Sequence, residues 1–286
     1  MYKFSKRLIY FVALSFIAYV FYRYWGYYSL PYNLRPRHEL YNWLKPGGEF
    51  SHGLGIIGSA MMLLLLFYSV RKRTRIFKRW GPVSRWLDIH IFFGTIGPLL
   101  VILHSTFKLN GIISVSFWSM VLVALSGFVG RYLYTQIPRN LRGRELTLEE
   151  IARRSHRLSE ELQKRYGIDS QELAQIEKAV SVSNPNISLP VLVFGILIAD
   201  IRRVFTFKAL KKELMRRHRI SRVDAANFLQ QVNEKALLDR RKLIWEKVHT
   251  LFHYWHVFHK PFAVIMYLIM FIHVGITTWL GYTWIF

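Results

Sequence analysis

The chain has 286 residues, 52% of them hydrophobic and 16% aromatic, with a formal net charge of +23 and no cysteine. Without cysteine there is no disulfide framework, thiolate-held iron–sulfur cluster, zinc ribbon or covalently attached c-type haem. The apolar residues fall in blocks that approach or exceed the roughly 18 that a helix needs to cross a bilayer, which excludes a soluble domain and predicts an all-α integral membrane protein of about five spans.

The N-terminus, "MYKFSKRLIYFVALSFIAYVFYRYW", pairs a basic start with an apolar block at residues 8–22. No small-x-small cleavage site follows, so an uncleaved anchor helix is expected. Lys3, Lys6 and Arg7 place this end on the cytoplasmic side by the positive-inside rule. Residues 24–52, rich in Tyr, Trp and Pro, then read as an external loop of interfacial composition. The second helix, residues 54–70, returns to "RKRTRIFKRWGPVSR", which carries seven Lys/Arg and no acid over residues 71–85. Such a run beside a span is a topology signal bathed in acidic lipid headgroups, and the positive charge as a whole is read this way rather than as a nucleic-acid footprint. The third helix covers residues 87–107 and runs outward; "KLNG" is a tight turn, and the fourth helix starts at Ile112 and reaches the inner surface by about Tyr134.

Three regions follow: spans one to four in residues 1–136, a basic and mostly helical cytoplasmic insertion in 137–247, and a C-terminal span in 248–286. Residues 137–248 hold 23 Lys/Arg against 14 Asp/Glu. Within them, "TLEE" from Thr147 predicts a capping box with Glu150 at the third helical position, and Gly167 suits that helix's end. "DSQE" from Asp169 opens a second helix, and residues 216–247 support one or two more. No glycine-rich phosphate loop occurs, so no flavin or nucleotide module is expected. "LPVLVFGILIAD" from Leu189 is apolar for about eleven residues before Asp200, Arg202 and Arg203. That is short for a span and suits a buried or interfacial helix; were it to cross, the last span would reverse direction.

The last helix, "VHTLFHYWHVFHKPFAVIMYLIMFIHVGITTWLGYTW", runs outward, parallel to the third. His90 and His104 lie fourteen residues apart on the third helix, and His259 and His273 fourteen apart on the last. Fourteen helical steps return to within about 40° of the start and rise about 21 Å, so each helix presents two imidazoles on one face, near opposite membrane surfaces. Two facing pairs result, His90 with His259 at the inner depth and His104 with His273 at the outer. A lone histidine on an apolar helix is more often a packed core residue, but a polar ring in a bilayer needs a partner. Haem supplies one to each imidazole as axial iron ligand, whereas zinc takes four ligands and each pair offers two. Two haem b groups, each held by two histidines, are therefore expected. His256 is the reserve for His259, and His249 and His253 read as an interfacial cluster.

Gly94 and Gly97 sit between the third-helix histidines, Gly127 and Gly130 lie on the fourth helix, and Gly275 follows His273. Such glycines admit either a porphyrin plane or, more commonly, a neighbouring helix. Arg131, Lys260 and Arg85 are the cations placed to meet anionic propionates, or else to snorkel.

Paired "H-x13-H" segments on two parallel spans resemble the di-haem membrane cytochromes b, both the bc-type cytochrome b and the ferric reductase membrane domain. "WHVFHKPFA…FIHVG" is also similar to ligand helices of bacterial membrane cytochromes that feed periplasmic partners. The resemblance covers roughly residues 52–136 and 249–280. It implies a bundle holding two stacked b haems in a bacterial inner membrane, passing electrons between quinone and subunits that carry iron–sulfur, flavin or c-type haem centres. His52 outside and His253 or His256 inside are then candidates for quinone proton exchange. The chain departs from the resemblance in lacking a flavin domain after the last helix, the "PEW" motif, and the span count of a full bc-type cytochrome b. Two other readings stand beside it: a terminal reductase of ferric iron or oxygen, and a non-redox membrane scaffold.

Overall fold

A computed structural model describes residues 2–74, 79–140, 144–166, 171, 189–217 and 222–282. Among them the chain is all-α, with no strand beyond an isolated bridge between Arg139 and Glu145. The helices are α1 (Tyr2–Arg23), α2 (Trp25–Tyr28), α3 (Tyr41–Leu44), α4 (Glu49–Arg73), α5 (Val83–Ser105), α6 (Ile112–Gln136), α7 (Leu148–Tyr166), α8 (Leu189–Arg217), α9 (Arg222–Leu243) and α10 (Trp245–Trp279). Five are long and apolar enough to cross a membrane: α1, α4, α5, α6 and α10. The protein is an integral membrane protein.

By internal contacts the chain forms two units, Met1–Val129 with His256–Phe286, and Gly130–Trp255. Both boundaries fall inside helices, α6 and α10. At 35 residues, α10 is about 52 Å long, well beyond the roughly 30 Å of a hydrocarbon core.

The first unit is built on the antiparallel pair α4 and α5. Their axes approach closely because Gly58 meets Gly97: a methyl on Gly58 would stand 2.8 Å from Val101 Cγ2 and 3.0 Å from Gly97 O. Small residues at such a crossing let backbones pack where lipid supplies no hydrophobic drive. Around this pair, Val20 of α1, Tyr27, Tyr28, Leu44, Leu54, Ile96, Leu100 and Leu103 form one buried cluster. A second consists of four methionines, Met62, Met120, Met266 and Met270, from α4, α6 and α10. Methionine's flexible thioether fills gaps of irregular shape between such helices. Among the hydrogen bonds that anchor α10 in this unit, Tyr267 Oη donates to Met62 O at 2.6 Å and Ser116 Oγ to Met266 O at 3.1 Å.

The segment between α1 and α4, expected as a plain loop, carries two short helices, a 3-10 turn at Arg35–Arg37 and a buried arginine. Arg35 is 6% exposed and donates to Leu30 O (2.9 Å), Thr106 O (2.5 Å) and Tyr28 O (2.8 Å). Its guanidinium also lies over the rings of Tyr32 and Tyr27, 4.3 and 5.3 Å from their centroids. Burial pushes the Tyr28 phenol up to about 12, so the neighbouring ring is neutral. The arginine charge is met by carbonyl dipoles and π faces instead. Its bond to Thr106 caps the C-terminus of α5, where helix carbonyls lack partners. Helix α5 ends at Ser105, two residues before the expected Phe107, because Thr106 and Phe107 adopt positive φ (48° and 62°). Helix α4 starts earlier than expected, at Glu49, with Gly48 at the N-cap and an acid in its first turn. His52, assigned above to the loop, therefore rides on a helix.

In the second unit α7 packs on α9. The capping box forms as expected: Glu150 N donates to Thr147 Oγ1 (3.2 Å) and Thr147 N to Glu150 Oε2 (2.8 Å). That bond first, and Arg144 beside it, hold the Glu150 carboxyl below the usual carboxylate range. Helix α8 is not among the five candidate spans. Leu192 and Ile196 from its apolar start are buried against Ile137, Ile244 and Val248. The expected ends at Gly167 and start at Asp169 lie outside the described residues.

Candidate functional site

The four histidines at fourteen-residue spacing all lie in the first unit, two on α5 and two on α10. His90 and His259 are within electrostatic reach of one another, and so are His104 and His273. The N-terminal histidine of α5 meets the N-terminal one of α10, and the C-terminal histidines meet likewise, so the two helices run in the same direction. The couples stand about 21 Å apart along the helices.

The ring hydrogen bonds assign tautomers. His104 Nδ1 lies 2.9 Å from Ser51 O, and His90 Nδ1 lies 3.3 Å from Leu65 O. A carbonyl only accepts, so Nδ1 carries the proton in each, and in the neutral ring Nε2 bears the lone pair. His259 Nδ1 is 2.7 Å from Ser126 Oγ, whose own proton goes to Val123 O at 2.9 Å. The serine oxygen is then left to accept, and the same tautomer follows. Imidazoles that ligate metal are held in this way, one nitrogen tied to an acceptor and the other offered to the ion. His273 has no ring hydrogen bond among the described residues; its backbone carbonyl accepts from Thr277 Oγ1 at 2.9 Å. No group of three or more His, Cys, Asp or Glu able to hold a metal ion occurs among the described residues. Two imidazoles per couple fall short of what zinc takes but match the axial demand of haem.

Each couple has its own surroundings. The His104 ring lies against α4 so closely that a methyl on Gly55 would stand 2.6 Å from its Nδ1. His52 is the next ring, 6.3 Å away between centroids, and is also within electrostatic reach of His273. Beside it opens a cavity of about 680 Å3 whose walls include Phe16, Trp43, Glu49, Phe50, His52 and Tyr282. His90 instead has Tyr68 at 5.0 Å between centroids, and two residues before it Asp88 pairs with Lys6 of α1 at 2.7 Å.

The remaining predicted residues are placed as follows. Gly97 is absorbed by the α4–α5 crossing, and Gly94 faces Leu65, 3.8 Å from where a methyl would stand. A methyl on Gly127 or Gly275 would meet nothing within 4 Å. Gly130 packs under the Trp255 indole, which a methyl would overlap, so it serves a helix contact of the second unit. Arg131 lies over the Tyr134 ring, 5.6 Å from its centroid. Lys260 follows His259 on α10, and Arg85 sits in the first turn of α5. His256 is within electrostatic reach of His259. His249 is committed on both sides, Nδ1 to Trp245 O at 2.8 Å and Nε2 to Glu145 Oε1 at 2.5 Å. His253 is exposed.

Gly55 and the Arg35 clamp were not singled out from sequence. "GLGIIG" at residues 53–58 was the available signal, a glycine repeat on one helix. Arg35 had none, since an arginine in a loop is ordinarily solvated. Comparison of the chain with protein-family models, with curated proteins and with solved structures gives no match.

Proposed function

We propose that this chain is the membrane electron-transfer subunit of an oxidoreductase complex, a di-haem cytochrome b moving electrons between a quinone pool and a partner redox protein. The observation that carries the reading is the double couple: His90 with His259 and His104 with His273, at two heights on two co-directional spans. Three of the four rings are oriented through Nδ1, and in His90 and His104, tied to backbone carbonyls, Nε2 bears the lone pair that iron would take. Haem b, bound by these residues, would supply one-electron redox chemistry that no side chain of the described set offers.

The chain's own part is to hold and to orient. Ser51 O, Leu65 O and Ser126 Oγ fix ring orientation, and hydrogen-bonded Nδ1–H raises the basicity of the opposite nitrogen. Glu49 and His52, on the wall of the cavity beside His104, are the groups for proton exchange with a quinol. That cavity falls within the 300–1,000 Å3 range of small-molecule sites, and its walls include the aromatic rings of Phe16, Trp43, Phe50 and Tyr282. In this reading the membrane is a bacterial inner membrane, and the basic runs, with the N-terminus and the 137–247 region, face the cytoplasm as the positive-inside rule asks. On this reading the haems exchange electrons with a partner that carries an iron–sulfur, flavin or c-type haem centre.

Haem content of the purified chain, by pyridine haemochrome, tests the reading. Two haem b per chain are expected. His104→Ala and His273→Ala should each remove the same haem and spare the other. A chain that binds no porphyrin, or His90→Ala and His104→Ala removing the same haem, would overturn it.

A further inference from the structure

In the second unit the last turn of α6, the middle of α8 and the end of α9 meet in a charged knot. Arg240, 3% exposed, donates from Nη1 to Asp200 Oδ1 at 2.7 Å and from Nη2 to Gln136 Oε1 at 3.0 Å. Tyr132 Oη donates to Asp200 Oδ2 at 2.9 Å, and Arg203 stands 3.4 Å from Asp200 Oδ1. Arg241 donates from Nη2 to Thr135 O at 2.9 Å. Three guanidiniums thus surround one carboxylate, both of whose oxygens are already taken.

The imbalance is not relieved nearby. The charges that act on Arg203 and Arg241 are Asp200, Tyr132, Arg154 and the other arginines of the knot, and Arg154 is paired with Glu234. Among the described residues Asp200 is the single acid in that set. Burial, and then the neighbouring positive charges, press both arginines below their usual range. Nε of Arg240 and of Arg241 are buried without a hydrogen-bond partner among the described residues. A half-buried surplus of two positive charges is costly unless an anion joins it. The knot encircles Tyr132, Thr135 and Gln136, the end of the 25-residue candidate span Ile112–Gln136, whose length of about 37 Å outruns a hydrocarbon core of about 30 Å and so carries its end to the headgroups. It opens at its edge, where Arg203 and Arg241 are partly exposed.

We propose that Arg203 and Arg241, backed by Arg240, form a phosphate-binding site for the headgroup of an acidic phospholipid. The guanidinium fork suits a phosphate better than a lysine does, since it offers two parallel N–H donors to two oxygens. The site is independent of the histidine couples and of what they bind.

The test uses the full chain, delipidated in neutral detergent, then given phosphatidylglycerol, phosphatidylcholine or inorganic phosphate. Bound lipid is counted by native mass spectrometry and stability read as Tm. Retention of phosphatidylglycerol with a raised Tm is expected, and none with phosphatidylcholine. Arg203→Gln with Arg241→Gln should weaken retention by about fivefold per arginine. Arg153→Gln with Arg157→Gln on α7 should leave it unchanged. If the double glutamine variant fails to fold, Arg203→Lys with Arg241→Lys keeps the charge but loses the fork, and should retain less lipid than the parent. Equal loss in the α7 control, unchanged retention in the knot variants, or the same Tm rise from inorganic phosphate alone would overturn the assignment to a lipid headgroup.

Discussion

The two histidine couples share spacing and chemistry but are held by different means. His104 is fixed by main chain: its Nδ1 meets a backbone carbonyl, a glycine lies under its ring, and Arg35 caps the end of its helix two residues on. The His90–His259 couple relies more on side chains. Ser126 Oγ accepts from His259, the carbonyl bond to His90 is longer, and the Lys6–Asp88 pair stands beside it. Main-chain acceptors are rigid and indifferent to substitution at their own position, whereas a hydroxyl can be deleted. The first couple should therefore be vulnerable through packing and the second through single polar groups.

The largest difference should come from Arg35→Met. It leaves three carbonyls, those of Leu30, Thr106 and Tyr28, without their donor, and an unmet buried group costs about 1–3 kcal/mol. A Tm drop of several degrees is expected and, of the two proposed haems, loss of the one at the His104 couple with retention of the other. Equal loss at both would mean that the clamp supports the whole unit rather than one end of it. Next comes Gly55→Val, which drives carbon into the His104 ring; overpacking of this kind costs about 1–3 kcal/mol. Of the two low-spin α-band components that the proposed haems would give, one should vanish while the second keeps its position.

Ser126→Ala probes the other side of the contrast. It deletes the acceptor for His259 Nδ1–H, worth about 1 kcal/mol, and should shift the reduction potential of the haem proposed at His90 and His259 without ejecting it. A shift in the His104 haem instead would break the distinction. The smallest effect is expected for Gly127→Ala, whose new methyl meets nothing within 4 Å. Its Tm should stay within what helix propensity allows, about 1 kcal/mol in the stabilising direction. A marked loss of haem there would identify Gly127 as a contact surface.

Reading along the chain was reliable wherever one physical rule acts on consecutive residues. Span count and the capping box at Thr147 follow from hydropathy, helix length and local hydrogen bonding. Boundaries were less legible. The start of α4 at Glu49 and the end of α5 at Ser105 depend on Gly48, Thr106 and the arginine that clamps the latter from 71 residues away.

Five spans, and two same-face histidines on each of two helices, were determined by sequence alone, because hydrophobicity and the 100° helical step are properties of neighbours in the chain. Which rings meet, which nitrogen carries the proton, and that Gly97 serves a helix crossing while Gly55 serves a histidine were decided only by tertiary structure. The same is true of the lone carboxylate among three arginines, drawn from helices that lie tens of residues apart. Packing brings together groups whose separation in sequence carries no information, and so their chemistry becomes readable only once the helices are in place.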